Sequence, residues 1–449
     1  MLRASAVAEE AGVPSVSLTC EGFIGQAATT ATGLGLPSLP VAIVPGHVDV
    51  QTVEELRANV LAVTVEGVVQ GLTSPPEKAS DIEEPEPGEV VFEGTYDEIN
   101  RFYYENGWSD GLPIVPPTAA RVQEFLKHAG READEELGVL LPDKRSATIR
   151  TVAINGVMAG CRPEYMPILV ALIEAMCDPE YGVEHSGNTP GADTLIILNG
   201  PIIKELGFNY TQGALRDGFM PNTTVGRFWR LYLRNVAGFL LHKTDKGTFG
   251  NTWRVVVPEN EDVLAKIGWA PLAVDMGLEP GDDAVTISRY TGGDPAVSFS
   301  GSTPEELLPY LADSVYRRIS WHLLFTMGGT LRPLVLLSPI LAETIAGWGW
   351  SKRDVQQYLF DHARIPASLF ERFMRDWNSR PVWNLASEVE AGHMPKVFAE
   401  SHDPERLVPL VWAPEHYMIA VTGDPLRTNA YVFAQNGHLG FMVTKKIVR

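Results

Sequence analysis

A thiol set between two stretches of regular structure is the first place to look for chemistry in this chain. Cys161 lies in the segment 146–176, SATIRTVAINGVMAGCRPEYMPILVALIEAM. The β-branched run 148–155 predicts a strand, and Ala159-Gly160 predicts a corner. Pro163 then opens a helix, because proline's missing N–H would have had no partner in the first turn. Met166, Leu169, Val170, Ile173, Met176 and Cys177 recur at the spacing of a helix face packed on a core. Cys161 is thereby expected just ahead of a helix N-terminus, where unpaired N–H groups favour an anion and can lower a thiol's pKa. Arg162 adds a positive charge beside it, and Glu164 opposes it. The alternative is an inert cysteine packed as a small hydrophobe.

Partners for such a thiol come from three loops. The segment 106–117, NGWSDGLPIVPP, joins a tight turn to an aromatic, Trp108, and a carboxylate, Asp110, the obvious acid/base candidate. His185, in the polar stretch EHSGNTPG, is the best candidate to act as base toward Cys161. The glycine-bearing loop 213–224 precedes a helix expected over 225–236, with Thr223 or Thr224 as its cap and an anion site at its N-terminus. Arg227, Arg230 and Arg234 follow at helical spacing, either as an anion clamp or as an ordinary solvated face. Trp108, Asn155, Arg162, Asn199, Thr224 and Arg227 make up the expected substrate-binding set. His47 and Asp49 follow an apolar strand, the edge where α/β sheets commonly bind ligands, and Gly423-Asp424 has a similar place. The ten histidines form no HxxxH or HxH pair, so no metal ligand set stands out, and no particular cofactor is indicated.

Composition bounds the function without naming it. With 449 residues and a formal charge of −20, the chain is a poor general partner for nucleic acid or an anionic membrane. Against that acidity, any local cluster of arginines is informative. Three cysteines, Cys20, Cys161 and Cys177, without a CxxC pair, argue against a disulfide framework or a structural zinc site. No apolar run approaches a membrane span, and the opening MLRASAVAEEAG lacks the core of a secretory signal. A cytoplasmic location is expected.

The elements divide the chain into four stretches. Residues 1–72 alternate helix (3–11), strand (13–19), helix (23–33), strand (39–44) and helix (53–69), the pattern of a doubly wound parallel α/β unit that begins inside a helix. Residues 73–94 carry four prolines and an acidic bias, as a linker does. A larger mixed α/β (α+β) region follows as 95–295, with the Cys161 motif, and 296–449. The latter opens with a helix capped by Thr303, has a capping-box start at Ser351 and Asp354, and ends in a hairpin turned by Asn436-Gly437.

The residues also resemble a known family. The segment AEEAGVPSVSLTCEGFIGQAATTATGLGLPSLPVAIVPGHVDVQTVEEL is similar to the C-terminal half of the UGSC-type (seleno)protein domain, and NGWSDGLPIVPPT, AINGVMAGCRPEY and LNGP are similar to motifs of a domain often joined to it. The resemblance implies thiol-disulfide oxidoreductase chemistry carried by a selenocysteine- or cysteine-containing motif whose place would precede Met1. It therefore implies a longer start, or a partner chain that supplies the motif.

The expectation is an enzyme using Cys161 on a small anionic substrate, with Asp110 or His185 as acid/base, in a redox or covalent carbon–sulfur step. Two other readings stay open. One is a hydrolase or lyase, working by metal or acid/base chemistry, in which Cys161 is structural. The other is a non-catalytic subunit whose N-terminal sheet is completed by a partner. Assembly as a homo-oligomer is expected, with no nucleic-acid or membrane partner.

Overall fold

The computed structural model describes residues 2–74, 88–142, 144–377, 380–435 and 440–449. Most of the proposed linker and the Asn436-Gly437 turn lie outside the described residues. The fold is mixed α/β, as the sequence predicts. Ser17–Cys20 and Val41–Val44 pair in parallel, Cys20 opposite Val44, among the helices Leu2–Glu10 and Ile24–Gly33 and the helical stretch from Val53 to Thr73. Thr52 opens that stretch with a capping box to Glu55. Parallel strands are normally covered on both faces. Here Leu18 and Ile43 are 46% and 39% exposed.

The larger part is built on one seven-stranded mixed sheet, in the order Met418–Val421, Leu334–Leu337, Ala430–Gln435, Ala284–Ala296, Asp193–Asn199, Val256–Pro258. The outer pairs are parallel and the central ones antiparallel. Ala284–Ala296 is long enough to take two partners on one edge in succession. Ala430–Gln435 pairs with its second half and Val443–Lys446 with its first. The two strands flanking the expected hairpin turn thus lie end to end along a common neighbour, not beside each other. Sheet strands come from both 95–295 and 296–449. Helices 304–319, 339–347 and 352–362 pack with one buried cluster, and helices 119–126, 149–159, 166–177 and 220–235 with another.

Two local expectations are overturned. The run 148–155 is no strand but the start of the helix Ile149–Ala159, with Thr148 and Thr151 forming its capping box. Its β-branched residues disfavour a helix only by tenths of a kcal/mol each, roughly, and burial of nearly every side of the helix outweighs that. The arginine-bearing helix also begins earlier than expected, at Met220, with Pro221 in its first turn. Thr223 and Thr224 therefore lie inside it. Thr224 donates to the Met220 carbonyl and caps nothing. Thr303 does stand at the N-cap of Pro304–Ile319, but makes no side-chain capping bond.

Gly226 lets this helix cross the chain leading into Val256–Pro258. A Cβ there would lie 2.4 Å from both the Arg254 carbonyl carbon and the Val255 nitrogen. Those neighbours are backbone, which cannot swing aside. Gly226→Ala is therefore expected to lower stability by about 1–3 kcal/mol, measured by urea unfolding. An unchanged midpoint would show that the two segments separate without cost.

Candidate functional site

The loop 107–113 is held down by one face of the Met220–Asn235 helix. Arg227 donates from Nε and Nη2 to the two carboxylate oxygens of Asp110, at 3.0 and 2.8 Å, and from Nη2 to the Pro113 carbonyl at 2.9 Å. One turn pair further on, Arg234 Nε donates to the Gly107 carbonyl at 2.6 Å, and Asn235 Nδ2 to the Trp108 carbonyl at 3.1 Å. Asn235 also donates to Asn155 Oδ1 at 2.9 Å, and Asn155 in turn donates to the Thr151 carbonyl. Trp108 packs edge-on against Phe102 and Tyr103. Asp110, Trp108, Asn155 and Arg227 are thus brought together, as part of a latch.

That latch changes the chemistry expected of Asp110. Burial works to raise its carboxyl, but the hydrogen bonds and charge of Arg227, then the charge of Arg254, outweigh it and hold the group below the usual carboxylate range. A carboxylate so paired stays ionised and is a poor proton donor near neutral pH.

The thiol fares differently from the expectation. Cys161 follows the left-handed C-cap Gly160, and its N–H donates to the Gly156 carbonyl. It therefore sits at the carbonyl end of Ile149–Ala159 as well as ahead of the turn Pro163–Tyr165, so the two helix-end fields oppose each other. Burial pushes its thiol up to about 12. The hydrogen bond with Thr224 and the charge of Arg227 offset only part of that. The expectation of a depressed pKa is overturned, because enclosure of the thiol dominates. Arg162 does not face it as a free charge: it pairs with Glu164 at 3.7 Å and lies over the Tyr165 ring.

His185 lies elsewhere, beside a cavity of about 420 Å³ between the N-terminal unit and the larger part. Leu2, Arg3, Gln26 and Thr30 line one side of it, and Glu184, His185 and Phe239 the other. Gln26 Nε2 donates to the carbonyls of Thr244 and Gly187, at 3.0 and 3.3 Å. The structure surrounds Cys161 and His185 with different residues and gives no contact between them. Asn199 is also apart, buried against Glu259 and Glu261 at the end of its strand. His47 accepts from the Asp49 N–H and Asp424 from the Leu426 N–H, both as turn contacts.

A second cavity, of about 310 Å³, carries the electrostatics that Cys161 lacks. Arg230, Arg234 and Arg254 face it together with Asp110 and Asp245. Its far wall includes Gly191 and Ala192 and the loop 245–250, which meet so closely that a Cβ on Gly191 would stand 2.6 Å from the Gly250 nitrogen. Arg230 is spent on the buried Asp193, at 2.8 Å, and among the described residues Arg254 pairs only with Asp110, at 4.0 Å. Arg234 has no carboxylate within 4.0 Å among the described residues. Burial, then the like charge of Arg230, pulls its pKa down, with Asp110 and Asp245 offsetting part of the shift. The serial arginines were legible in the sequence. Arg254, Asp245 and the glycine loops were not, because only the fold brings GTFGNTWR onto that helix face.

Among the described residues no group of three His, Cys, Asp or Glu could hold a metal ion, and no helix is long and apolar enough to cross a membrane. Neither a curated protein nor a solved structure matches the chain. Residues 1–74 match the model of the UGSC family, and the N-terminal unit, with its parallel strand pair between helices, is of that type.

Proposed function

We propose that this chain is an enzyme of acid/base type acting on a small anionic substrate held in the arginine-lined cavity. Arg234 carries the reading. A half-buried guanidinium beside a second one, with no carboxylate in reach among the described residues, is the arrangement an anionic ligand would relieve. The volume falls at the low end of ligand pockets, which begin at about 300 Å³. Asp110 is fixed by Arg227. Asp245, which accepts from the Gly247 N–H through Oδ1, is the carboxylate we assign to proton transfer. Cys161 enters as a packing residue, not as nucleophile or redox thiol.

The reading predicts that acetate, as the simplest carboxylate, raises the melting temperature in a saturable way. Arg234→Met and the half-exposed Arg254→Gln are each expected to weaken acetate binding at least tenfold. Arg353→Met, which removes a surface pair with Glu415 at 2.8 Å, should leave it unchanged. Equal binding by wild type and both cavity variants would overturn the proposal.

A second reading concerns the N-terminal unit. Leu18 and Ile43 are exposed on a two-stranded parallel pair, and such a pair gains by further coverage or pairing. That favours an added element from a partner chain, which is compatible with the enzymatic reading.

A further inference from the structure

The arginine cavity also carries information about the kind of anion it takes. Among its ionisable lining groups Arg230 is paired with Asp193 and Asp110 with Arg227, which leaves Arg234 and Arg254 against Asp245, one positive charge over. That balance suits a monoanion. A phosphate dianion would leave an excess of negative charge in a partly desolvated site.

The rest of the lining mixes Asn251 and Thr252 with four larger apolar side chains at different depths. Leu233 and Phe239 are buried, Leu241 is 56% exposed, and Phe249 is 98% exposed. Isolated exposed apolar residues are ordinary on a protein surface. Phe249 is different because it lines a charged cavity that Leu233, Phe239 and Leu241 line as well. It also sits between Gly247 and Gly250, and Gly250 has φ +79°, a conformation that side chains rarely adopt. An aromatic ring held between glycines, with nearly its whole surface in water, gains by closing on a flat apolar ligand.

We propose that the cavity takes a small aromatic monocarboxylate, with its carboxylate toward Arg234 and Arg254 and its ring between Leu241 and Phe249. This rests on the anion-binding reading above and adds the ring to it. Benzoate and acetate share the head group and differ in the ring, so their dissociation constants, taken from NMR titrations of the full chain, separate the two claims. Benzoate is expected to bind at least tenfold more tightly than acetate. Phe249→Ala should cost benzoate roughly five- to tenfold and leave acetate unchanged, a loss in the range of one aromatic contact. Phe249→Tyr should keep benzoate binding. Because the side chain is so exposed, these variants leave the folded core intact. Equal affinities for benzoate and acetate, or unchanged benzoate binding in Phe249→Ala, overturn the aromatic assignment while the anion site stands. Binding of neither ligand by the wild type overturns the anion reading itself, and this assignment with it.

Discussion

Iodoacetamide at pH 7 should label Cys161 at least about thirtyfold more slowly than an exposed thiol of ordinary pKa. The thiolate is the reacting species, and a shift from 9 to about 12 removes about three powers of ten of it at neutral pH, of which the greater nucleophilicity of a more basic thiolate returns roughly half. Enclosure of the sulfur slows access further. Cys177 is pushed up to about 12 as well, by burial first and then by Glu174 and Glu136, so it should lag alongside. Cys20 is partly exposed, unlike Cys161, and at the end of its strand it serves as the comparison site in the same digest. Labelling followed by peptide mass spectrometry from pH 6 to pH 10 reads all three together. Rapid modification of Cys161 at pH 6 would mean that the thiolate is stabilised in solution, and the acid/base reading would then give way to thiol chemistry. The slow outcome has a corollary. Cys161→Ala should bind acetate as the wild type does.

The contrast between Cys161 and the arginines shows what the chain discloses without its fold. A motif such as MAGCRPEY places a thiol beside a helix start, and that much is correct. Whether the thiol meets water depends on Thr224 and on helices arriving from more than sixty residues away, which no local pattern encodes. The strand expected at 148–155 failed for a related reason. Val, Ile and Thr favour a strand only weakly, and four helices packed together override the preference. Patterns tied to local geometry fared better. The capping box at Ser351 and the parallel pair in the first fifty residues are both in place. Arg227, Arg230 and Arg234 do share a helix face. What the spacing could not assign was each one's partner: Asp110 from a loop over a hundred residues earlier, Asp193 from the central sheet, and for Arg234 only a loop carbonyl. Sequence therefore offered three equivalent cations, and the fold separates two that pair with buried carboxylates from one that bonds a loop carbonyl.

Arg227→Met should be the most damaging of the cavity-side substitutions for stability, at about 3 kcal/mol. The pair with Asp110 is bidentate and largely buried, and Arg227 also holds the Pro113 carbonyl. Removing the guanidinium strands a carboxylate in the protein. Arg254, 4.0 Å away, supplies only partial relief, which is why the lower end of the range for broken buried pairs applies. Lysine cannot reproduce the two parallel hydrogen bonds, so Arg227→Lys should recover less than half of the loss. Asp110→Asn alone strands the guanidinium instead, and the double variant should be less destabilised than the sum of the two singles, by about 1–3 kcal/mol. Acid provides an independent check. In the wild type the Asp110 pKa is depressed, so its stabilising contribution is complete above the unfolded value of about 3.9 and is lost as pH falls through the lower folded value. Without Arg227, burial is the leading influence and raises that carboxyl, so protonation relieves the variant as pH falls. The gap in unfolding free energy between wild type and Arg227→Met should therefore narrow steadily below about pH 5. Taking the difference cancels the other carboxylates, which titrate in both proteins. A gap independent of pH would mean that Arg227 acts through packing and its carbonyl contacts alone, with no share for the charge on Asp110.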